Sequence, residues 1–134
     1  MSDNIGGNMD ERRRYPRLAI DVDVCWHKIK GQEADKETNS DTTKNISEGG
    51  ICLMVYEPLA KGDSIYLKFN LPTGRRINAK GRVMWVDTFE VVSRKNEVSR
   101  CDTGIEFIEI SDEDRLEVQK FVFSILANKP SVHE

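Results

Sequence analysis

The sequence is poor in the residues from which catalytic and metal sites are most often built. It holds two histidines, His27 and His133, and neither has a cysteine or carboxylate neighbour at ligand spacing. Its three cysteines, Cys25, Cys52 and Cys101, are odd in number and show no CxxC spacing. That argues against a disulfide framework and against a zinc site, and it fits free thiols in a reducing cytosol. No GxSxG surrounds Ser47, and no Walker or dinucleotide glycine pattern occurs. No apolar run is longer than Ile51 to Tyr56, far short of the roughly 20 residues that cross a bilayer. The opening Met-Ser-Asp-Asn-Ile-Gly-Gly has neither a basic nor an apolar signal region, so no secretory leader is expected. Together these absences predict a cytoplasmic domain that neither inserts into a membrane nor performs chemistry.

What is present is enough for one folded unit. A chain of 134 residues with 38% apolar content can bury a single core, so wholesale disorder is not expected. The net charge of −3 hides an asymmetry, because Arg12, Arg13, Arg14 and Arg17 crowd four positive charges into one short segment. A mildly acidic protein does not coat itself with long nucleic acid, but a local arginine cluster can hold one compact anion.

Residues Met1 to Glu11 are polar and without period, which predicts a flexible tail. From Leu18 the pattern alternates, with Leu18, Ile20, Val22, Val24 and Trp26 on one side, the signature of a half-buried strand. Lys30 to Asp41 is a polar loop or long hairpin connection. A second strand begins at Thr42 and breaks or bends at Gly49-Gly50, and Ile51 to Tyr56 reads as a strand buried on both faces. Ile65, Leu67, Phe69 and Leu71 alternate again before a turn at Pro72-Thr73-Gly74. Arg75 to Val86 pairs back, with Ile77, Ala79, Val83 and Trp85 on one face, and Thr88 to Val92 with Val98 to Ile110 extends that ribbon. At Ser111 the period changes. Ser111-Asp112-Glu113-Asp114 resembles a helix cap with acids in the first turn, and Leu116, Phe121, Val122, Ile125 and Leu126 fit one helical stripe. Short antiparallel strands followed by one amphipathic helix predict a mainly β barrel or sandwich with the helix packed on it.

Two polar elements stand out. In Arg12-Arg13-Arg14-Tyr15-Pro16-Arg17, Pro16 biases Tyr15 toward extended backbone, where positions 13, 15 and 17 share a side. Arg13 and Arg17 can then converge on phosphate oxygens or on a guanine edge. The plainer reading is a solvated basic arm. In Asn45-Ile46-Ser47-Glu48-Gly49-Gly50, Asn45 and Ser47 point to one side while Ile46 packs inward. Asn45 can accept from guanine, and Ser47 can donate to a phosphate or base. The plainer reading here is an Asx/Ser turn before a double-glycine bend.

Taken together, Arg13-xxx-Arg17 and Asn45-x-Ser47-xx-Gly50 resemble the paired RxxxR and (D/N)xSxxG signature of PilZ domains, which bind the second messenger cyclic di-GMP. The resemblance runs from about Asp10 to Leu126 and includes the Gly104-Ile105-Glu106-Phe107 strand and the closing helix. It implies a mainly β, six-stranded antiparallel PilZ barrel with a C-terminal α-helix and a flexible N-terminal arm. The implied boundaries are a tail over 1–9, the domain over 10–128 and a tail over 129–134. By resemblance, Arg13 and Arg17 grip phosphates and guanine edges, Asn45 and Ser47 hold a guanine, and Gly50 keeps the bend open. Arg12 stands where an arginine is associated with a self-stacked pair of ligands, and Arg14 adds charge without a fixed contact. Asn45 replaces the Asp of many members, which weakens acceptance of guanine's donors. Trp85 has two readings: periodicity sets it with the core, while some single-domain members stack a guanine on a tryptophan of this strand.

The function implied is a bacterial, non-enzymatic receptor, with no cofactor besides its ligand, that signals to an unidentified partner protein by ordering its arm. Two alternatives are a PilZ module that binds no nucleotide and serves protein interaction, and a small barrel that binds RNA or DNA. Scarce aromatics, 7% of residues, and the negative net charge disfavour the latter.

Overall fold

The computed structural model describes residues 15–30, 33–34, 38–57, 59–92 and 97–128. Arg12, Arg13, Arg14 and the expected tails over 1–9 and 129–134 lie outside them. The strands are β1 (Arg17–Leu18), β2 (Asp23–Lys30), β3 (Glu33–Ala34), β4 (Asn39–Ser47), β5 (Gly50–Val55), β6 (Ser64–Asn70), β7 (Arg76–Val92) and β8 (Glu97–Ile110), followed by helix α1 (Asp112–Ala127). Six of them close a ring in the order β2-β4-β5-β8-β7-β6, with β6 returning to β2 and every pairing antiparallel. The fold is therefore the expected mainly β, closed six-stranded barrel with one C-terminal helix. The two short strands attach to it, β1 on β4 and β3 on β2.

The alternating segment from Leu18 is one strand path with a gap. β1 pairs with Ile46 and Ser47, and β2 pairs with the earlier part of β4, from Asn39 to Thr42. Between them Thr43, fully buried, closes the gap with its own side chain. Its hydroxyl donates to the Ile20 carbonyl at 2.7 Å and accepts from the Val22 amide at 2.9 Å, while its amide donates to the Val22 carbonyl at 2.9 Å. Those bonds satisfy backbone groups that leave the ladder here, and they fix β1 against the end of β4. The second strand also starts earlier than its apolar pattern suggested, at Asn39, because pairing with β2 supplies the hydrogen bonds that polar Asn39 to Asp41 need.

Inward-facing Val24, Trp26, Ile46, Leu53, Ile65, Leu67, Ile77 and Val83 are almost fully buried and fill the barrel. Each such side chain contributes roughly 1.5–3 kcal/mol by leaving water. Trp26 has one polar atom, and its Nε1 donates to Asp41 Oδ2 at 2.8 Å. At the Pro72-Thr73-Gly74 turn, Gly74 takes φ of 98°, a left-handed conformation that costs glycine little.

Helix α1 is capped as expected, with Ser111 Oγ accepting from the Asp114 amide at 3.0 Å. Its inner stripe differs from the expected one. Val118, Phe121 and Val122 are buried and Leu126 packs against them, whereas Leu116 and Ile125 are exposed. The inward place one turn before Val118 belongs to Asp114, and Leu116 stands about 200° around the helix from it. Asp114 does more than complement the helix dipole. Its buried carboxylate accepts from Arg75 at 2.9 and 3.3 Å and from the Asn78 amide at 3.2 Å, pinning the first helical turn to the β6–β7 hairpin.

Two measurements check these couplings. Asp114→Ala strands the Asn78 amide and should cost about 1–3 kcal/mol in urea unfolding, with the far-UV spectrum retained. Burial raises the Asp41 carboxyl above its ordinary value, and the Trp26 hydrogen bond offsets only part of that. A raised folded-state pKa means that the folded protein holds this proton more tightly, so stability falls as pH rises from the ordinary 3.8 through the raised value. Asp41→Asn keeps an acceptor for Trp26 without the charge. Thermal melts should show it more stable than the parent at about pH 7, with the gain shrinking toward about pH 3.

Candidate functional site

Two rows of outward-facing residues cross the barrel wall. The first runs Asn45, Cys52, Gly104, Trp85 over β4, β5, β8 and β7, and the second runs Ser47, Gly50, Glu106, Arg82 over the same strands. Arg17 on β1 adds to the second row beside Ser47. Three of the four middle positions, Gly50, Cys52 and Gly104, have little or no side chain, so the wall is low there, with bulkier groups around it. The result is a cavity of about 260 Å³. Tyr15, Arg17, Asn45, Ser47 and Gly50 line it on the β4 side, and Met84, Trp85 and Glu106 on the β7–β8 side.

The structure thus brings together Arg17, Asn45, Ser47, Gly50 and Trp85. Each reaches the site for a separate local reason. Asn45 follows a register shift between Thr43 and Asn45, and Ile46 beside it is fully buried, which turns Asn45 and Ser47 outward. Gly50 is required by packing, because a Cβ there would lie 2.0 Å from the Ile105 carbonyl oxygen of β8. Ser47 is buried, and its hydroxyl is engaged within the bend, accepting from the Gly49 amide and donating to the Gly50 carbonyl, both at 3.2 Å. The plain turn reading therefore describes Ser47 in this state. One acceptor lone pair is left on its oxygen, and donation to a ligand requires release of the Gly50 carbonyl.

Trp85 corrects the expectation from alternation. Val83 is buried at 1% exposure, while Trp85, on the same parity, is 37% exposed. A register shift between Val83 and Trp85 inserts Met84 as an extra residue and turns the indole out of the core. The ring then rests on Gly104, where a Cβ would lie 2.2 Å from its Cε2 and Nε1 atoms. Tyr15, Met84 and Glu106 are among the lining residues to which the sequence assigns no binding role. The ring of Tyr15 covers Gly49, where a Cβ would lie 2.6 Å from it, and its hydroxyl accepts from Arg115 Nη1 of α1 at 3.5 Å. A signal existed for Tyr15, which shares the side of Arg13 and Arg17 in an extended arm, but none marked Met84 as a bulge.

Charge near the cavity is partly committed. Lys44, the extra residue of the β4 shift, bonds buried Asp102 at 3.2 Å, and Arg100 pairs with the same carboxylate at 3.1 Å. Burial, and then Asp102, push the Cys52 thiol above its ordinary pKa, so it is a poor nucleophile. Among the described residues no group of His, Cys, Asp and Glu is arranged to hold a metal ion, and no helix is long and apolar enough to cross a membrane.

The PilZ domain model matches residues 11–124. No curated protein matches the chain. Among solved structures, the Bacillus subtilis inhibitor of motility MotI/DgrA superposes with a TM-score of 0.69 at 24% identity, over 90% of this chain and 54% of that one. The PilZ domain of Escherichia coli YcgR, solved with c-di-GMP, gives 0.64 at 18% identity, over 87% of this chain and 92% of that one. MrkH, a c-di-GMP-dependent transcription regulatory factor whose apo structure is of the K. pneumonia protein, gives 0.64 at 20% identity, over 88% and 52%. The chain thus spans about half the length of the MotI and MrkH chains. At these identities the likeness shows the fold.

The seating of Trp85 can be tested without a ligand. Gly104→Ala should displace the indole while leaving the barrel folded, because the clash is with a side chain at the surface. Acrylamide quenching of tryptophan fluorescence should rise, with buried Trp26 as the protected internal reference.

Proposed function

The chain belongs to the PilZ domain family, and on that premise we propose that it is a receptor for cyclic di-GMP that performs no chemistry on its ligand. The observation that carries this reading is the cavity on the barrel wall, where Arg17, Asn45, Ser47 and Gly50 meet beside an outward tryptophan. The c-di-GMP complexes of the YcgR and MrkH structures support it.

The chemistry of these residues suits a guanine nucleotide. Trp85 offers a flat face for a base, and stacking of this kind is worth roughly 1–3 kcal/mol per base. Asn45 can accept from and donate to a purine edge, and the Arg17 guanidinium fits phosphate oxygens or guanine O6 and N7. At about 260 Å³ the cavity is smaller than the roughly 300–1,000 Å³ of sites that enclose a drug-sized ligand. It therefore takes part of a cyclic dinucleotide, and Arg13 at the other end of the RxxxR element closes over the rest. Arg12 extends the positive charge to a second, stacked ligand molecule, and Arg14 adds attraction without a fixed contact.

Signalling follows from the charge of the arm. Four arginines close together repel one another, and an anionic ligand removes that repulsion as it draws the arm onto the barrel. A downstream protein that distinguishes the docked from the undocked arm converts binding into output.

Calorimetric titration with cyclic di-GMP, with GTP and a short RNA as controls, tests the reading. Saturable binding of the cyclic dinucleotide alone is expected, with a ligand-to-protein ratio of two if the stacked pair forms. Arg13→Ala and Arg17→Ala should each remove detectable binding and leave the protein folded, and Ser47→Ala should weaken binding less. Unchanged affinity in all three variants would reject the site, and silence of the folded parent would leave a nucleotide-free interaction module.

A further inference from the structure

Glu106 is a carboxylate in a site built for an anion. It lines the cavity, it is exposed, and among the described residues it forms no ion pair or hydrogen bond. Its place is set by the barrel: it pairs with Gly50 on one side and Arg82 on the other, two positions along β8 from the glycine on which Trp85 rests. Side chains two apart on a strand face the same way and stand about 7 Å apart. A purine lying against the indole therefore brings its edge within reach of the Glu106 carboxylate.

Resting on the receptor reading above, we infer that Glu106 is the residue that selects guanine, by accepting the N1–H and N2–H donors of the base that lies on Trp85. Guanine presents two adjacent donors on that edge, and a carboxylate presents two adjacent acceptors. Among the cavity's polar side chains the alternatives match less well. The amide of Asn45 has one acceptor, and its NH₂ opposes any second donor; Arg17 only donates; Ser47 already spends its proton on Gly50. Position 45, an Asn, thus takes one donor or O6, and the double acceptor is supplied from the opposite wall. Adenine lacks both of these donors and offers only its N6 amino group beside the N1 acceptor, so one carboxylate oxygen would be left desolvated and unpaired, and selection is by penalty as well as by attraction.

The opposing expectation is simple. If Glu106 faced the phosphates instead, its charge would repel the ligand and its removal would tighten binding. Glu106→Gln keeps size and hydrogen bonding but loses the second acceptor and the charge, and as a surface residue it should leave the melting curve unchanged.

The experiment is calorimetry of the parent and Glu106→Gln, each with cyclic di-GMP and with cyclic di-IMP, whose hypoxanthine bases lack the N2 amino group. The parent should prefer cyclic di-GMP by on the order of tenfold or more, the discrimination expected of a bidentate base-edge contact. In Glu106→Gln the affinity for cyclic di-GMP should fall by a similar factor while that for cyclic di-IMP changes less, so the ratio collapses toward one. A variant that binds both ligands more tightly, or that keeps the parent's ratio, overturns the assignment of Glu106 and leaves the receptor reading standing. A folded parent that binds neither ligand overturns both.

Discussion

The backbone of β5 at Gly50 lies so close to β8 that a methyl group there would meet the Ile105 carbonyl oxygen at 2.0 Å. Everything distinctive about this face of the barrel depends on that approach. The carbonyl belongs to the neighbouring strand's ladder and cannot withdraw without loss of its pairing, so position 50 must lack a side chain. The Gly49 carbonyl accepts from the Phe107 amide at 2.9 Å, so the bend is held to β8 on both sides of this point. With Gly50 bare and Gly104 bare beside it, the wall dips, and the bulky groups at its margins, Asn45 and Trp85, face each other across the dip. A recess on the outside of a small closed barrel is otherwise hard to make, because the interior is filled by side chains.

Much of this was legible in the order of residues. Strict alternation at Ile65, Leu67, Phe69 and Leu71, and the cap at Ser111, specify local geometry directly, and both elements formed as read. The pattern alone leaves a barrel or a sandwich open, and the resemblance to PilZ domains selects the closed barrel. The differences have two causes, and the first is that a period is informative only while it is unbroken. Periodicity alone sets Trp85 with the core, but one inserted residue, Met84, shifts the phase, and nothing in the local composition marks the insertion. The second is long-range pairing, for Leu116 fits the apolar stripe of the helix yet faces outward. The inward turn went to a charged residue, Asp114, whose partners Arg75 and Asn78 lie more than 35 positions earlier in the chain. Glu106 joins the site through its cross-strand neighbours Gly50 and Arg82, a relation that sequence spacing does not record.

Two structural ties fix where the arm meets the barrel. The side chain of Thr43 replaces missing ladder bonds at the gap between β1 and β2, so Arg17 and Leu18 lie against Ser47 and Ile46. Beyond them Tyr15 lays its ring over Gly49 and touches Arg115 on the helix through its hydroxyl. At 3.5 Å that hydrogen bond is weak, yet it makes the base of the arm sensitive to both the Gly49-Gly50 bend and the helix. Release of the Gly50 carbonyl by Ser47, as donation to a ligand requires, would alter the bend on which the Tyr15 ring rests.

Affinity and selectivity in such a site come from different parts of it. The arginines act through charge, which attracts any polyanion and weakens as salt screens it over about 8 Å at physiological ionic strength. The barrel wall acts through shape and hydrogen-bond pattern, which are short-ranged and set by strand register. A carboxylate among these groups lowers the general attraction for anions, because it opposes the arginine field. On the reading proposed above, the same carboxylate raises the difference between guanine and other bases, because a donor pair satisfies it and an acceptor does not. A site lined only by cations would bind GTP, RNA and cyclic dinucleotides with little distinction. On the reading proposed above, Glu106 on its rigid strand gives up part of that indiscriminate attraction and favours a ligand that presents both phosphates and guanine edges.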